Sequence, residues 1–238
     1  MSEWKPVTDA VTELLGSVST ATVASQLLAR GLRDQFVAGV GPVAPGRRMV
    51  GAAWTARTIP SREDLDGLWP GSRPVPGLSL FDVIESTPAG AVLVIDGRGE
   101  NRTATGGDIL VERLRVRGAR GLVTDAGIRD GTAVSAVALP CYSAGTTANV
   151  SRAFLRIIEQ DVPVGCGSVA VFPGDVLVGD DDGVIVIPRA MADEVARDAA
   201  EQEQLEEFIG EKVRAGAPLR GVYPPSAEVR AEYRAARR

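Results

Sequence analysis

Helical spacing of apolar residues is clearest near the two ends of the chain. Within about residues 7–31 the pattern predicts two short helices, the second capped by Ser19 or Thr20 and ended by Gly31. About residues 190–214 predict a longer, highly charged helix with arginine and acids interspersed. We expect these helices to flank a different kind of structure in the middle of the chain.

Short apolar runs of strand length follow in the middle. Residues 49–58 alternate and contain β-branched and aromatic side chains, which predicts a strand. Residues 91–96 (AVLVID) form a continuous apolar run, typical of a strand that is covered on both faces. A loop, a predicted helix over 109–117 and a second run at 121–125 (GLVTD) come next. This order predicts a βαβ unit with two parallel strands.

The remaining segments complete a single α/β domain. Residues 59–77 predict a long surface loop, and residues 78–87 a helix. Residues 162–188 contain short β runs broken by Gly, Pro and Asp, which favours antiparallel hairpins with a turn at Asp180–Gly183. We expect a mixed sheet, a C-terminal helix that packs on a neighbouring subunit, and an ordered part that closes at residues 223–225 (YPP).

Composition narrows the class of partner. The chain has 238 residues, 45% hydrophobic, and a net charge of −5, so nothing favours a nucleic-acid partner. No apolar run approaches the ~18 residues of a membrane span, and the first ten residues lack the pattern of a signal peptide. Cys141 and Cys166 lie in apolar stretches and are predicted to be buried, free side chains. We expect a cytoplasmic protein with no membrane partner.

The most informative feature of the composition is the absence of histidine. This excludes a Ser-His-Asp triad, a Cys-His pair and His-ligated zinc. The lysines are Lys5, near the N-terminus, and Lys212, in the charged helix, and neither position suits a Schiff-base lysine. The chemistry left for an enzyme uses carboxylates, arginine, backbone N–H groups and a metal.

A glycine-rich loop follows the strand at 91–96, but it does not fit a dinucleotide. Gly97 and Gly99 would need a third glycine at position 102, where Arg102 stands. A simple turn is therefore favoured over a nucleotide-binding loop.

The candidate site combines the start of the helix at 109–117 with the end of the strand at 121–125. Gly106 and Gly107 precede the helix, so its first-turn N–H groups are free to bind an anion, and Asp108 lies beside them. Arg129 and Asp130 follow the strand, at the sheet edge where parallel α/β proteins bind ligands.

Arginine can bind a carboxylate through two hydrogen bonds, and an aspartate suits Mg²⁺ or Mn²⁺. Two alternatives remain open at this stage: Asp108 as a helix-capping charge, and Arg129–Asp130 as a surface ion pair.

The spacing of these residues resembles a known motif. Asp108, twenty intervening residues, then Arg129 and Asp130 are similar to the D-X20-R-D motif of the metal-dependent pyruvate aldolases typified by 4-hydroxy-4-methyl-2-oxoglutarate/4-carboxy-4-hydroxy-2-oxoadipate aldolase. That family shares its fold with the regulator of ribonuclease E activity A. The flanking segments TATVASQL, PVGCGSVAVFPGDVLVGDDDGVIVIP and EEFIGEKVRAG resemble the family as well. The resemblance implies one domain over residues 1–238, an αββα sandwich of the swivelling-domain type.

The resemblance also implies residue roles. Gly107, Asp108, Ile109 and Leu110 match the segment whose backbone cradles the pyruvyl carboxylate. Arg129 matches the arginine that binds substrate and faces the enolate oxygen.

Carboxylates complete the implied set. Asp130 matches the ligand of a divalent cation, Mg²⁺ or Mn²⁺, and Asp108 matches the acid that moves protons with a water. A glutamate from an adjacent subunit assists: Glu206 is our choice because it lies on the packed face of its helix, and Glu207 is the alternative. The family forms trimers or paired trimers, so a homotrimer or homohexamer is expected.

Two functional hypotheses follow. The first is a divalent-metal-dependent lyase that cleaves a 4-hydroxy-2-oxo acid to pyruvate and also decarboxylates oxaloacetate, which share an enolate product. The second is a non-catalytic regulatory or binding protein of the ribonuclease E regulator type. The intact Arg129–Asp130 pair favours the first, because the regulator relatives tend to lack the aspartate.

Overall fold

The structure is a computed structural model that describes residues 4–67, 70 and 76–237. Its α-helices are α1 Asp9–Gly16, α2 Thr20–Ala29, α3 Leu80–Ser86, α4 Asp108–Val116, α5 Gly131–Ala136, α6 Ala192–Arg214 and α7 Ala227–Ala236. Its strands are β1 Gly41–Pro42, β2 Met49–Pro60, β3 Ala91–Ile95, β4 Gly121–Thr124, β5 Cys141–Ser143, β6 Leu155–Gln160, β7 Val164–Cys166, β8 Val169–Val171, β9 Val176–Gly179 and β10 Val184–Ile187. Ser151–Ala153 and Arg189–Met191 form short 3-10 helices.

Local sequence signals account for where several helices begin. The hydroxyl of Ser19 accepts a hydrogen bond from the Thr22 N–H and so caps α2, as predicted. Ser79 and Asp82 form a reciprocal capping box at the start of α3. Gly31 follows α2 with a positive φ of 85°, a conformation that suits glycine.

The main sheet is mixed, and the predicted α/β class with a central mixed sheet flanked by helices is confirmed. Its strand order is β1-β5-β4-β3-β2-β9-β10, and β6 pairs with the far half of β2. β2, β3, β4 and β5 are parallel, so the predicted βαβ unit is present. The hairpins β7–β8 and β9–β10 are antiparallel, again as predicted.

Apolar side chains cover both faces of the parallel strands. Alternate residues of β3 contribute to two different clusters: Leu93 and Ile95 pack under α3 and α4, and Val92 and Val94 pack under the β7–β8 hairpin. This explains the unbroken apolar run of β3, because a strand with two buried faces has no polar side.

The N-terminal and C-terminal helices pack together on the antiparallel end of the sheet. The apolar face of α6 contacts α1 and α2 through Val195, Ala196 and Ala199. The first half of α6 is therefore covered by its own chain. The expectation that the helix packs on a neighbouring subunit concerns its remaining surface and stays a prediction.

One expectation about the C-terminus was wrong. Residues 223–225 do not close the ordered part, because α7 follows them. Ser226 caps α7, and Val229 and Tyr233, four residues apart, pack against Leu205 and Ile209 of α6. The charged composition of α7 hid this short apolar stripe.

Part of the predicted loop 59–77 lies outside the described residues. β2 runs on to Pro60, so the loop begins slightly later than predicted. The single-domain boundary at 1–238 stays a prediction. In the part of the chain that the structure describes, no helix combines the length and apolar character needed to cross a bilayer.

Candidate active site

The loop after β3 and the segment after β4 run side by side and hydrogen-bond to each other. The Gly127 N–H donates to the Thr103 carbonyl over 2.9 Å, and the Thr105 N–H donates to the Gly127 carbonyl over 3.0 Å. The Arg129 N–H then donates to the Gly106 carbonyl over 2.9 Å. These bonds extend the parallel pairing beyond the strands, so the two halves of the candidate site meet at one edge.

A buried aspartate holds the start of this arrangement. The carboxylate of Asp125, at the end of β4, accepts hydrogen bonds from the N–H groups of Gly97, Gly99 and Gly167 over 2.6, 3.0 and 3.2 Å. A Cβ at position 97 would lie 2.4 Å from that of Ala126, so only glycine fits there. The Gly97–Gly99 segment is a turn, as favoured above, and the N–H groups of both glycines donate to Asp125.

Gly107 is the residue that lets α4 approach the segment after β4. It is the N-cap of α4 and has no side chain with which to cap the helix. The first-turn N–H groups that follow it have no partner within the helix, and the positive end of the helix dipole adds to their attraction for an anion. A Cβ at position 107 would lie 3.1 Å from Oδ2 of Asp130. The absence of this atom gives the Asp130 carboxylate its place over the helix start.

Asp130 has an uncommon backbone conformation. Its φ of 56° and ψ of 39° are left-handed, where few residues other than glycine are found. It precedes α5, yet its carboxylate accepts no capping hydrogen bond from that helix. The ordinary structural use of an aspartate at a helix start is therefore not made here, and the carboxylate is free to bind a ligand.

Arg129 is half-buried, and its Nε has no hydrogen-bond partner although it is inaccessible to solvent. Among the described residues, no ion pair includes Arg129, so the open alternative of an Arg129–Asp130 ion pair is not observed. A buried donor without an acceptor costs stability, roughly 1–3 kcal/mol. Such a donor is expected where a ligand supplies the acceptor.

These residues line one cavity of about 730 Å³. Gly107, Asp108, Ile109 and Leu110 contribute from α4 and its cap, and Arg129 and Asp130 contribute from the segment after β4. The structure thus brings together every predicted substrate-binding residue and the predicted metal ligand. Their roles are taken up below as proposals.

Glu206 does not belong to this cavity. It lies half-buried on α6 beside α1, where its Oε1 accepts a hydrogen bond from Gln202 over 2.6 Å. Glu207 is exposed on the same helix. Because the glutamate was expected from an adjacent subunit, a single chain does not test it, and the choice between Glu206 and Glu207 stays a prediction.

Other residues singled out in the sequence have structural roles. Asp180 is buried and accepts hydrogen bonds from the N–H and Oγ of Thr20 over 2.8 and 2.9 Å, which fastens the β9–β10 turn to α2. Cys141 and Cys166 are buried and free, as predicted. Lys212 forms an ion pair with Glu232 on the surface.

Burial also changes acidities near the sheet. It raises the pKa of the Cys141 thiol to about 12 and raises that of Cys166 as well. The pKa of Asp96 is raised by burial and by the nearby Asp125 carboxylate.

Three contributions to the site were not found from the sequence. Asp125 was assigned only as the end of a strand, whereas it fixes the loop that leads to α4. Phe81 and Arg152, distant along the chain, also line the cavity. The pairing of β6 with β2 brings the segment of Arg152 to this edge, and no periodic pattern in the sequence signals that pairing.

The donor groups in the cavity fit a hard divalent cation held by few protein ligands. Among the described residues, no three Asp, Glu, Cys or His side chains cluster as a complete metal cage. The cavity offers the carboxylates of Asp130 and Asp108. Mg²⁺ is commonly bound by only about one or two carboxylates, with waters and substrate oxygens as its other ligands. The residues therefore fit Mg²⁺ or Mn²⁺.

Comparison with known proteins places this arrangement in context. Residues 18–186 match the RraA-like family model, described as Aldolase/RraA. Over 142 residues the chain is 38% identical to a Halalkalibacterium halodurans protein named "Putative 4-hydroxy-4-methyl-2-oxoglutarate aldolase"; the match covers 58% of this chain and 67% of that protein. An uncharacterized protein of Methanocaldococcus jannaschii is 32% identical over 131 residues, which cover 55% of this chain and 62% of that protein.

Solved structures share most of the fold. The crystal structure of Streptomyces coelicolor RraAS2, described as an unusual member of the RNase ES inhibitor RraA protein family, superimposes with a TM-score of 0.76. It is 33% identical, and the match covers 87% of this chain and 98% of that one. An uncharacterized protein from Pseudomonas syringae gives a TM-score of 0.78 at 25% identity, covering 92% of this chain and 100% of that one.

Proposed function

Because the chain belongs to the RraA-like family (Aldolase/RraA), we propose that it is a divalent-metal-dependent lyase that cleaves a 4-hydroxy-2-oxo acid, of the 4-hydroxy-4-methyl-2-oxoglutarate type, to pyruvate. The observation that carries this proposal is the single cavity shared by Asp108, Arg129 and Asp130. The relative that bears an aldolase name supports lyase activity in general. Oxaloacetate decarboxylation is expected as a side activity.

Binding of the pyruvyl end is assigned to α4 and Arg129. The free first-turn N–H groups of residues 107–110 donate to the substrate carboxylate, assisted by the helix dipole. The Arg129 guanidinium, which has a buried donor without an acceptor, donates to the 2-oxo oxygen. This places positive charge where negative charge develops as the bond breaks, and each such group lowers a barrier by roughly 2.7–4 kcal/mol.

Proton movement is assigned to Asp108. Its half-buried carboxylate, through a water, accepts the proton of the C4 hydroxyl. The C3–C4 bond then breaks, its electron pair passes to the pyruvyl fragment as an enolate, and C4 becomes a carbonyl. A proton returned to C3 gives pyruvate. With oxaloacetate the same bond breaks and carbon dioxide is released.

Asp130 would hold a divalent cation, with Asp108 beside it. A bound cation would supply electrostatic stabilisation of the developing oxyanion. This route agrees with the chemistry of the chain, since a lysine Schiff base is the other common electron sink. Lys5 is exposed near the N-terminus, and Lys212 is engaged with Glu232 on the surface.

The proposal is tested by measuring pyruvate release from oxaloacetate with Mg²⁺, with Mn²⁺ and with excess EDTA. We expect activity that EDTA abolishes and added Mg²⁺ restores. Asp130→Asn should lower it by at least ~10²-fold. Asp161→Asn is a matched control, because Asp161 has the same φ of 56° and does not line the cavity. Activity that survives EDTA, or equal losses in both variants, would contradict the assignment.

A second candidate function is regulation of a ribonuclease by binding. It is favoured by the similarity to S. coelicolor RraAS2, whose family is described as RNase ES inhibitors. For this chain, such a function would require a ribonuclease as protein partner in addition to the predicted small-molecule substrate. If the chain binds a ribonuclease and inhibits it, and if Asp130→Asn leaves this inhibition unchanged, the binding function does not depend on the cavity.

We propose the oligomeric state from the same family membership. A homotrimer or homohexamer with sites between subunits would bring a neighbour's Glu206 or Glu207 to the cavity. Light scattering gives the number of chains, and Glu206→Gln against Glu207→Gln in the pyruvate assay identifies the assisting carboxylate.

A further inference from the structure

One side of the cavity is apolar and has no part in the chemistry described above. We call it the apolar wall: Leu80 and Phe81 of α3, Val150, and Leu155 and Ile157 of β6. Leu80 and Ile157 are continuous with the main hydrophobic core. Phe81 and Val150 are 67% and 43% exposed. The wall is thus joined to the core through Leu80 and Ile157, and its exposed members Phe81 and Val150 contribute apolar surface to the cavity.

The cavity is larger than a pyruvyl unit needs. Its volume of about 730 Å³ lies within the range of roughly 300–1,000 Å³ that is typical of sites for ligands much larger than three carbons. Within one chain, a pyruvyl group held by α4 and Arg129 would leave the apolar wall uncovered. Exposed apolar surface is characteristic of ligand-binding grooves and of protein interfaces, and here it continues the cavity to which the pyruvyl end is assigned.

The charged side chains that line the cavity also favour an apolar ligand group. Asp108, Arg129 and Asp130 are assigned to the pyruvyl end. The other charged side chain of the cavity is Arg152, which is exposed on the 3-10 helix Ser151–Ala153. An exposed arginine gains little from pairing with a carboxylate, because water screens the attraction. Contact with the apolar wall is therefore the stronger source of selectivity for the far end of the substrate.

We propose that this chain prefers 4-hydroxy-2-oxo acids whose C4 carries an alkyl or aryl group larger than methyl. The inference rests on the proposed lyase reaction and revises its substrate, because an apolar C4 group takes the place of the C4 carboxylate of 4-hydroxy-4-methyl-2-oxoglutarate. Cleavage of the C3–C4 bond would convert C4 into the carbonyl of an apolar aldehyde or ketone, with the C4 hydroxyl proton passing to the Asp108 water and a proton returned to C3. In 4-hydroxy-4-methyl-2-oxoglutarate, by contrast, C4 carries a methyl group and a second carboxylate.

The test compares kcat/KM for three substrates that share the pyruvyl end. These are 4-hydroxy-2-oxopentanoate, 4-hydroxy-2-oxo-4-phenylbutanoate and 4-hydroxy-4-methyl-2-oxoglutarate, with oxaloacetate as the reference that does not reach the apolar wall. We expect the phenyl substrate to exceed the methyl substrate by about 10-fold or more, since small differences in apolar contact are worth roughly 10–200-fold. Phe81→Ala should remove most of this preference, so that the phenyl and methyl substrates have similar values of kcat/KM.

Two further variants make the comparison specific. Phe172→Ala is the matched control, because Phe172 is similarly exposed (54%) and does not line the cavity; it should keep the phenyl preference. Arg152→Gln tests the alternative that the cavity recognises a second carboxylate on the substrate. If 4-hydroxy-4-methyl-2-oxoglutarate is the best substrate and loses its advantage in Arg152→Gln, a second carboxylate is recognised and the inference is overturned. The inference is also overturned if Phe81→Ala leaves the preference for the phenyl substrate intact and changes only the number of chains in the assembly, which light scattering measures.

A binding measurement separates this inference from the lyase assignment. Calorimetry with Mg²⁺ present compares pyruvate with 2-oxo-4-phenylbutanoate, which keeps the pyruvyl end and lacks the C4 hydroxyl. We expect the phenyl compound to bind at least ~10-fold more tightly, and Phe81→Ala to abolish the difference. If this holds while no substrate yields pyruvate, the lyase function fails and the apolar wall still binds an apolar group. Equal affinities would overturn the inference even in an active lyase.

Discussion

Replacement of Gly107 by alanine tests how the site is held together. The added Cβ would lie 3.1 Å from Oδ2 of Asp130 and 3.7 Å from Cβ of Arg129. The first distance is shorter than a comfortable carbon–oxygen contact, so the Asp130 carboxylate has to move by a few tenths of an ångström. Catalytic groups must keep their positions to within about 0.5 Å, and a displacement of roughly 1 Å can cost about 10²-fold in rate.

The same change should alter stability only slightly. Gly107 has φ of −152° and ψ of 178°, an extended conformation that alanine adopts readily. Loss of glycine at a helix N-cap costs about 0.5–1 kcal/mol. A more restricted unfolded chain returns about 0.4–1 kcal/mol. The net change in the free energy of unfolding is therefore within about 1 kcal/mol, or a Tm shift of no more than ~4 °C for a chain of this size.

The assay follows pyruvate release from oxaloacetate as a function of Mg²⁺ concentration, with Tm measured in parallel. We expect kcat/KM for Gly107→Ala to fall by about 2–10-fold, in proportion to the smaller displacement, and half-saturation by Mg²⁺ to need more metal. Gly165→Ala is the control, because a Cβ there meets no atom within 4 Å. If Gly107→Ala keeps both the wild-type rate and the wild-type response to Mg²⁺ while Tm is unchanged, Asp130 does not act from its position over Gly107 and the reasoning is refuted.

Three further outcomes are expected. Arg129→Lys should lower kcat/KM for oxaloacetate by at least ~10²-fold, because an oxyanion donor is lost. Its Tm should be unchanged or raised, because a buried Nε without a partner is removed. A variant with wild-type activity would contradict the role of Arg129. Asp180→Ala should lower the free energy of unfolding by about 2–3 kcal/mol, because a buried charged acceptor of the Thr20 N–H and Oγ is lost; calorimetry checks this, and the rate well below Tm should be unaffected. Burial raises the pKa of the Cys141 thiol to about 12 and also raises the pKa of the Cys166 thiol, so both are protonated at pH 8. A thiol reagent should therefore label neither cysteine in the native protein and both after unfolding. Fast labelling of the native protein would contradict the burial of the thiols.

The site could be anticipated from the sequence because its parts are local. A glycine before a helix leaves N–H groups free wherever the helix lies, and Arg129–Asp130 comes three residues after an apolar run of strand length, GLVTD. The parallel pairing of β3 with β4 then placed both at one edge. Each of these steps needs only short-range pattern and the topology of a βαβ unit.

Other features could not be read in this way. The helix α7 was not predicted, because Val229 and Tyr233 are recognisable as a buried stripe only through their contact with Leu205 and Ile209. The position of Glu206 was judged from helical periodicity, which gives the face of a helix and not the subunit it meets.

The sequence by itself therefore determined the α/β class, the free helix start at Gly107 and the chemical groups available, since periodicity and residue type depend on local physics. Only the tertiary structure decided that Asp130 lies over Gly107 in a left-handed conformation, that the Nε of Arg129 is buried without a partner, and that Phe81 and Leu155 line the same cavity. These facts depend on atoms brought together from distant parts of the chain, where close packing rather than local preference sets the arrangement.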